Sequence, residues 1–330
     1  CGQAAAFDDP LARPARPSAL AAHAPVNGLA MAGRRIVAVG QRGHILYSDD
    51  AGRNWRQASV PVSVDLTAVS FATPREGWAV GHDGAILHSA DGGESWHLQA
   101  DGRNGANGAH GTDGGNGSNA GNDAHGADSG NAKVDDRPLL DIRMADGLHG
   151  MAVGAFGLAR CTEDGGKHWL ACEDKLDNPQ GLHLNAIRAI GDVVYIAGEQ
   201  GLLLRRAGGE GRFTALALPY RGSLFGVTGD GQRLLAFGLR GNAWFSANGG
   251  ATWEQSTTGV RSGLAAGLAV PNGFVLVSQT GQLLYSESGR QFSPQPAAQP
   301  EPVTAALLGA TGEMVTGGVR GVRVHSLQRH

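Results

Sequence analysis

The sequence predicts an all-β fold, a seven-bladed β-propeller with four-stranded blades. Three observations predict it. A small-residue Gly-x-x-Gly unit followed by a short apolar run occurs seven times, at Gly40, Gly81, Gly154, Gly198, Gly238, Ser278 (Ser for the first Gly) and Gly318. Successive copies are 41, 73, 44, 40, 40 and 40 residues apart, so one period near 40 holds except at a single insertion. Between the landmarks, apolar runs of strand length are broken by Gly, Asp and Asn, with almost no helical periodicity. A period of about 40 with strand-type patterning is that of a propeller blade.

Residues 1–22 are read as a processed N-terminus and 23–330 as the single propeller. The chain begins CGQAAA, and two readings fit. Cys1 is the lipid-bearing first residue of a bacterial lipoprotein, or the string is the tail of a cleaved signal peptide. Both place the protein in the periplasm or otherwise outside the cytoplasm. Blade two shows the four-strand plan most clearly, with LTAVSFA (66–72), GWAVG (77–81), AILHSA (85–90) and SWHLQ (95–99).

Between blades two and three, the low-complexity insertion 101–132 offers no large apolar side chain. It cannot offset its ordering entropy, so a disordered loop dispensable for folding is expected. It also lacks the nonapeptide period of a calcium β-roll. Blade three carries Cys161 and Cys172, one on each strand of a hairpin. That places them a strand spacing or a diagonal apart, so a disulfide is expected, with two free thiols as the alternative. Blade seven supplies VTAALLG (303–309), EMVTGG (313–318) and VRVHSL (322–327), and then its outermost strand is missing. The N-terminal segment around Pro17–Ala21 is expected to close that edge.

Composition removes several function classes. Net charge is −3 over 330 residues, which suits neither a nucleic-acid binder nor a polybasic membrane binder. Only Lys133, Lys167 and Lys175 are lysines, so the positive charge is almost all guanidinium. No run approaches the ~18 apolar residues of a bilayer span.

A second repeat lies between the third and fourth strands. It reads Ser48-x-Asp50-x-Gly52-x-x-Trp55, then Ser89, Asp91, Gly93 and Trp96, then Thr162, Asp164, Gly166 and Trp169, then Ser246, Asn248, Gly250 and Trp253. Weaker echoes span 206–213 and 286–292. At a hairpin the acid and hydroxyl can bond the turn backbone, the glycine can take positive φ, and the tryptophan can fold between blades. The motif is structural in this reading. It resembles the Asp-box, or BNR repeat, shared by sialidases, some glucanases, sortilin-type receptors and assembly factors.

The blade consensus VGxxGxIxxSxDGGxxW, the seven units and the leading segment DPLARPARPSALAAHAPVNGLA resemble bacterial proteins related to the photosystem II stability and assembly factor. The resemblance covers nearly the whole chain outside 101–132. It implies an extracytoplasmic, non-catalytic propeller that binds other proteins: an assembly factor or accessory subunit for a membrane protein complex, with an RND-type exporter as one candidate client in non-phototrophic bacteria. A monomer without cofactor is expected, touching the membrane only through a lipid on Cys1.

A glycoside hydrolase of the Asp-box type is the catalytic rival, and a glycan- or peptide-binding propeller the non-catalytic one. A sialidase-like site needs an arginine triad, a Tyr–Glu nucleophile pair and an acid. Tyr47 and Tyr285 sit on third strands, Tyr195 inside a second strand, and only Tyr220 in a usable loop. His44, His82 and His88 show no metal spacing, and no helix follows Gly-x-x-Gly to make a phosphate loop.

The turns between second and third strands and the blade-to-blade connections share one face. Arg42, Arg240 and Arg320 precede the last Gly of their turns, and Arg137, Arg221 and Arg261 lie in connections. These six are the candidate partner-binding residues, with Tyr220, Phe225 and Phe156 as apolar contacts and Asp65, Asp83 and Glu199 as opposing acids. Arginine binds carboxylates in bidentate fashion, so the face suits a client presenting an acidic or C-terminal segment.

Overall fold

The computed structural model describes residues 9–103, 135–208, 211–295 and 300–325. Cys1 and almost all of the 101–132 insertion lie outside them. Seven antiparallel sheets follow one another around a ring. Blade one comprises β1 (Val26–Ala32), β2 (Arg35–Gly40), β3 (Ile45–Ser48) and β4 (Arg56–Gln57), and blade two β5 (Leu66–Phe71), β6 (Gly77–Gly81), β7 (Ile86–Ser89) and β8 (His97–Ala100). Blade three has β9 (Leu139–Met144), β10 (Gly150–Gly154), β11 (Ala159–Thr162) and β12 (Leu170–Ala171), and blade four β13 (Leu184–Ile190), β14 (Val193–Gly198), β15 (Leu203–Ala207) and β16 (Thr214–Ala215). Blade five has β17 (Leu224–Gly229), β18 (Leu234–Gly238), β19 (Ala243–Ser246) and β20 (Glu254–Ser256), and blade six β21 (Leu264–Val270), β22 (Gly273–Ser278), β23 (Leu283–Ser286) and β24 (Ser293–Gln295). Blade seven has three strands among the described residues, β25 (Val303–Leu308), β26 (Met314–Gly318) and β27 (Gly321–His325).

Second strands are buried on both faces, which is why they read as unbroken apolar runs such as RIVAVG and GFVLVS. The core is divided into layers between blades, such as the one joining Val37, Val39 and Tyr47 of blade one to Val69, Leu87 and Trp96 of blade two. One feature of the inner strands sets the channel lining. In every blade the ladder slips at the second residue, so Asn27, Thr67, Leu140, Asn185, Phe225, Ala265 and Thr304 are bulged. Where that residue is polar it bonds a carbonyl at the start of the next inner strand. Asn27 Nδ2 donates to Leu66 O at 2.8 Å, Thr67 Oγ1 to Leu139 O at 2.6 Å and Asn185 Nδ2 to Leu224 O at 2.8 Å. Thr304 Oγ1 donates to Val26 O and so fastens blade seven to blade one.

Among the described residues, the N-terminal segment reaches blade seven but adds no paired strand there. A single 3-10 turn, Ala21–His23, packs against β27. The preceding residues lie along blade one instead: Ala15 N donates to Val60 O at 3.0 Å, Ser63 N to Pro10 O at 2.8 Å, and the Gln57 side chain bonds Ser18 N and Arg16 O. Pro10, Pro14 and Pro17 lack the N–H donors a ladder needs, which explains the departure from a closing strand. Among the described residues an open groove of about 690 Å³ lies beside β27.

Cys161 and Cys172 are joined, with Cα atoms 5.9 Å apart. Cys161 pairs with Leu170 across the hairpin, so the bridge runs diagonally to a residue just past the last pair.

Candidate functional site

The Asp-box hairpins form one edge of the ring. In blade one Ser48 Oγ donates to Asp50 Oδ1 at 2.9 Å and accepts from Gly52 N at 2.9 Å, Asp50 Oδ1 accepts from Asn54 N at 2.8 Å, and Trp55 Nε1 donates to Gly52 O at 3.0 Å. Blade two repeats this with Ser89, Asp91, Gly93 and Trp96. Blade three does so with Thr162, Asp164 and Gly166, although its Trp169 turns to Gln99. In blade five Asn248 substitutes its amide oxygen, accepting from Ser246 Oγ at 3.0 Å and Thr252 N at 2.9 Å, and Gly250 N donates to Ser246 Oγ. The indole of Trp253 is half-buried against blade four, and its N–H has no partner. Backbone N–H donors hold the Asp50 and Asp164 carboxyls down to about 2, Asn54 and His168 respectively supplying the strongest bond. The hydroxyls and the Asp or Asn oxygens of the motif are thus bonded within their own turns, a structural role.

The opposite edge carries the Gly-x-x-Gly turns. Each of the first five is a tight 3-10 turn, and the residue before the last glycine is left-handed: Arg42 (φ 56°), Asp83 (55°), Phe156 (52°), Gln200 (52°) and Arg240 (57°). That conformation costs an L-residue roughly 1–2 kcal/mol. The glycine that follows is also left-handed and lies against the next connection. A Cβ on Gly201 would stand 2.0 Å from Tyr220 O, and one on Gly241 2.1 Å from Val260 O. Turns and connections are therefore pressed together on one face, as the sequence implies.

The six arginines divide into two sets. Arg42, Arg221, Arg240 and Arg261 are exposed, and among the described residues none of their guanidiniums makes an ion pair. Two of the three acids expected to oppose them are otherwise engaged, and Asp83 pairs with none of the four. Asp65 Oδ1 accepts from the backbone N of Arg42 at 2.8 Å, and Glu199 Oε2 from His183 N at 3.0 Å. Arg137 is half-buried and committed, at 2.7 and 2.8 Å to both oxygens of Asp135 and at 3.1 Å to Phe156 O; the Asp135 bond raises its pKa further. Arg320 shares Glu301 with Arg323, at 3.4 and 2.7 Å.

The three apolar candidates separate as well. Phe156 projects at the tip of its turn, 62% exposed, with its ring edge-on to His183. Tyr220 braces the rim from within, donating to Leu239 O at 3.2 Å, and its burial raises its pKa. Phe225 occupies the bulge of β17 and lines the central channel, not the loop next to Tyr220. Leu239 and Val319, exposed beside Arg240 and Arg320, belong to the rim and were not singled out from sequence.

The channel, about 680 Å³, is walled by the inner strands. Sequence reasoning also missed its charged wall. Asp141 is buried, accepts from Ile142 N at 3.0 Å and Ile187 N at 2.8 Å, and pairs with Arg188, tying blade three to blade four. The recoverable signal was an arginine at the fifth position of both inner strands, LLDIRM and LNAIRAI. Arg143 also lines the channel, its pKa lowered by burial. Among the described residues no three His, Cys, Asp or Glu side chains are disposed to hold one metal ion together, and no helix is long and apolar enough to cross a membrane.

Comparison with known proteins then decides the family. The family model described as photosynthesis system II assembly factor YCF48 matches residues 26–105 and 131–261. The chain belongs to the YCF48 family. A curated relative, the photosystem II assembly lipoprotein Ycf48 of Synechococcus sp. (strain CC9902), is 32% identical over 122 residues, which span 36% of this chain and 37% of the relative. A solved structure of YCF48 bound to D1 peptide superposes with a TM-score of 0.69 at 19% identity, covering 94% of this chain and 95% of the other. YCF48 from Cyanidioschyzon merolae gives 0.68 at 13% identity, covering 92% and 96%. The WD40 propeller of Doa1 gives 0.65 at 11% identity over 96% and 97%. Likeness at these identities establishes the propeller and nothing finer, since a WD40 domain fits nearly as well as YCF48.

Proposed function

We propose that this propeller is a non-catalytic, extracytoplasmic protein-binding factor that serves the assembly or stability of a membrane protein complex. Its binding face is the Gly-x-x-Gly rim. The observation that carries this reading is the set of four exposed guanidiniums without ion pairs, two of them on left-handed backbone. Packing does not demand a charged side chain at a position whose conformation disfavours any side chain, whereas presentation of that side chain does. Bare guanidiniums on a rim that also exposes Phe156, Leu239 and Val319 suit a client segment with carboxylates and some apolar surface.

Family membership and the D1 peptide in the related YCF48 structure support a peptide-like client. The name of the Synechococcus relative, a lipoprotein, supports a membrane-anchored location. An RND-type exporter is one client of this kind. Glycan binding or Asp-box hydrolase chemistry would need a polar constellation that these turns do not offer, their acids being bonded to their own backbone.

The test is charge reversal of Arg42, Arg221, Arg240 and Arg261 together, followed by capture of clients from native membranes and a glycan array on the same protein. Loss of protein capture with an unchanged melting curve supports the reading. Undiminished capture, or a glycan signal that vanishes with the same variant, refutes it.

A further inference from the structure

Four side chains across blade two form an arrangement that no part of the proposed function uses. Trp78 on β6, His88 on β7 and His97 on β8 stand in one cross-strand row. They lie on the face that turns towards blade three, where Trp78 packs with Ile142 and Met144. Glu76, in the turn before β6, reaches the end of the row. Its Oε2 lies 2.6 Å from His88 Nε2, and His88 Nδ1 lies 3.2 Å from His97 Nε2. The Trp78 and His88 rings are 4.6 Å apart.

We propose that His88 and His97 form a two-nitrogen site for a divalent transition ion of the zinc or copper class, with Glu76 as positioning residue. An ionised carboxylate at 2.6 Å accepts a hydrogen bond, so His88 Nε2 carries the proton and its Nδ1 presents a lone pair to His97. A carboxylate fixing a histidine tautomer from behind is the usual support of a ligating imidazole. The spacing fits as well. With metal–nitrogen bonds of about 2.0–2.1 Å, two nitrogens 3.2 Å apart subtend about 100° at the ion, between square and tetrahedral geometry. An ion at that point displaces the proton that His97 Nε2 donates to His88 Nδ1; His97 is exposed, so solvent can carry that proton to its Nδ1 and complete the coordination. Imidazole pairs of this kind favour copper over zinc, and both over magnesium or calcium.

Untagged full-length protein is titrated with Zn2+ and with Cu2+ by calorimetry, and Cu2+ is followed in parallel through tryptophan fluorescence. Trp78, in tilted contact with His88, reports occupancy directly by quenching. H97A, on an exposed position, should retain the wild-type melting curve, weaken both ions at least tenfold and remove the saturable quenching. E76Q should weaken binding by about tenfold while leaving stoichiometry unchanged. H97A protein that binds and quenches like wild type overturns the proposal, as does wild-type protein with no saturable binding of either ion.

Discussion

Replacing Asp141 with alanine should destabilise the propeller more than removal of any single rim charge. Asp141 accepts from two backbone donors and one guanidinium. Ile187 N is buried, and without the carboxylate it has no acceptor. Such an unsatisfied donor costs about 1–3 kcal/mol, and the Ile142 N–H adds a similar, partly relaxed amount. The guanidinium of Arg188 is half-exposed, so the ion pair itself contributes no more than about 1 kcal/mol. The total is about 3–5 kcal/mol, which for a chain of this size lowers the melting temperature by roughly 4–7 °C. Scanning calorimetry and urea titration of D141A, D141N and R188A would measure it. D141N keeps an acceptor for one backbone donor and should lose about half as much, and R188A should lose least. Equal losses in R188A and D141A would refute the assignment of the energy to the buried donors, and so would a D141A loss under about 1 kcal/mol.

Three further outcomes are expected. The Asp50 and Asp164 carboxyls sit at about 2, below the ~3.9 of an unfolded aspartate, so their contribution is complete above pH ~4 and is lost as pH falls towards 2. Urea melts across that range should show a steep acid limb that flattens in D50N/D164N protein. Arg240→Gly should raise stability by about 1 kcal/mol by relieving the left-handed backbone while weakening client capture, whereas Gly241→Ala should destabilise by more than that because its Cβ meets Val260 O; paired melts and capture assays decide both. Reduction of Cys161–Cys172, which closes a separation of 11 residues, should cost about 2–3 kcal/mol, seen as a reductant-dependent shift in the melt.

The blade count, the strand positions and the Asp-box turns are legible because they repeat. Seven copies of one pattern average out the local ambiguity that defeats a single strand assignment. The closeness of Cys161 and Cys172 follows from their places on one hairpin, whereas the diagonal needs the register. Features that occur once are not legible in this way. Closure by Thr304 onto Val26 depends on a bulge whose register appears only when all seven sheets are in place. The bulge also turns Phe225 into the channel, although its neighbours Tyr220 and Arg221 stay on the rim. Counting arginines on a face is likewise possible from the turn positions, but their pairing is not. Arg137 finds Asp135 two residues away and Arg320 finds Glu301 from the preceding connection, whereas Asp65 turns to backbone and leaves Arg42 bare.

The central claim is that a client meets the Gly-x-x-Gly face. Site-specific photo-cross-linking measures this most directly, with the photoreactive residue placed at Phe156 or Leu239 on that rim, or at Lys167 on the Asp-box edge. All three positions are exposed, so the probe should not disturb folding. Irradiation in native membranes should give a specific cross-linked band from the two rim positions, sensitive to salt and abolished by reversing Arg42, Arg221, Arg240 and Arg261, and none from Lys167. A specific band from Lys167 with none from the rim would contradict the account.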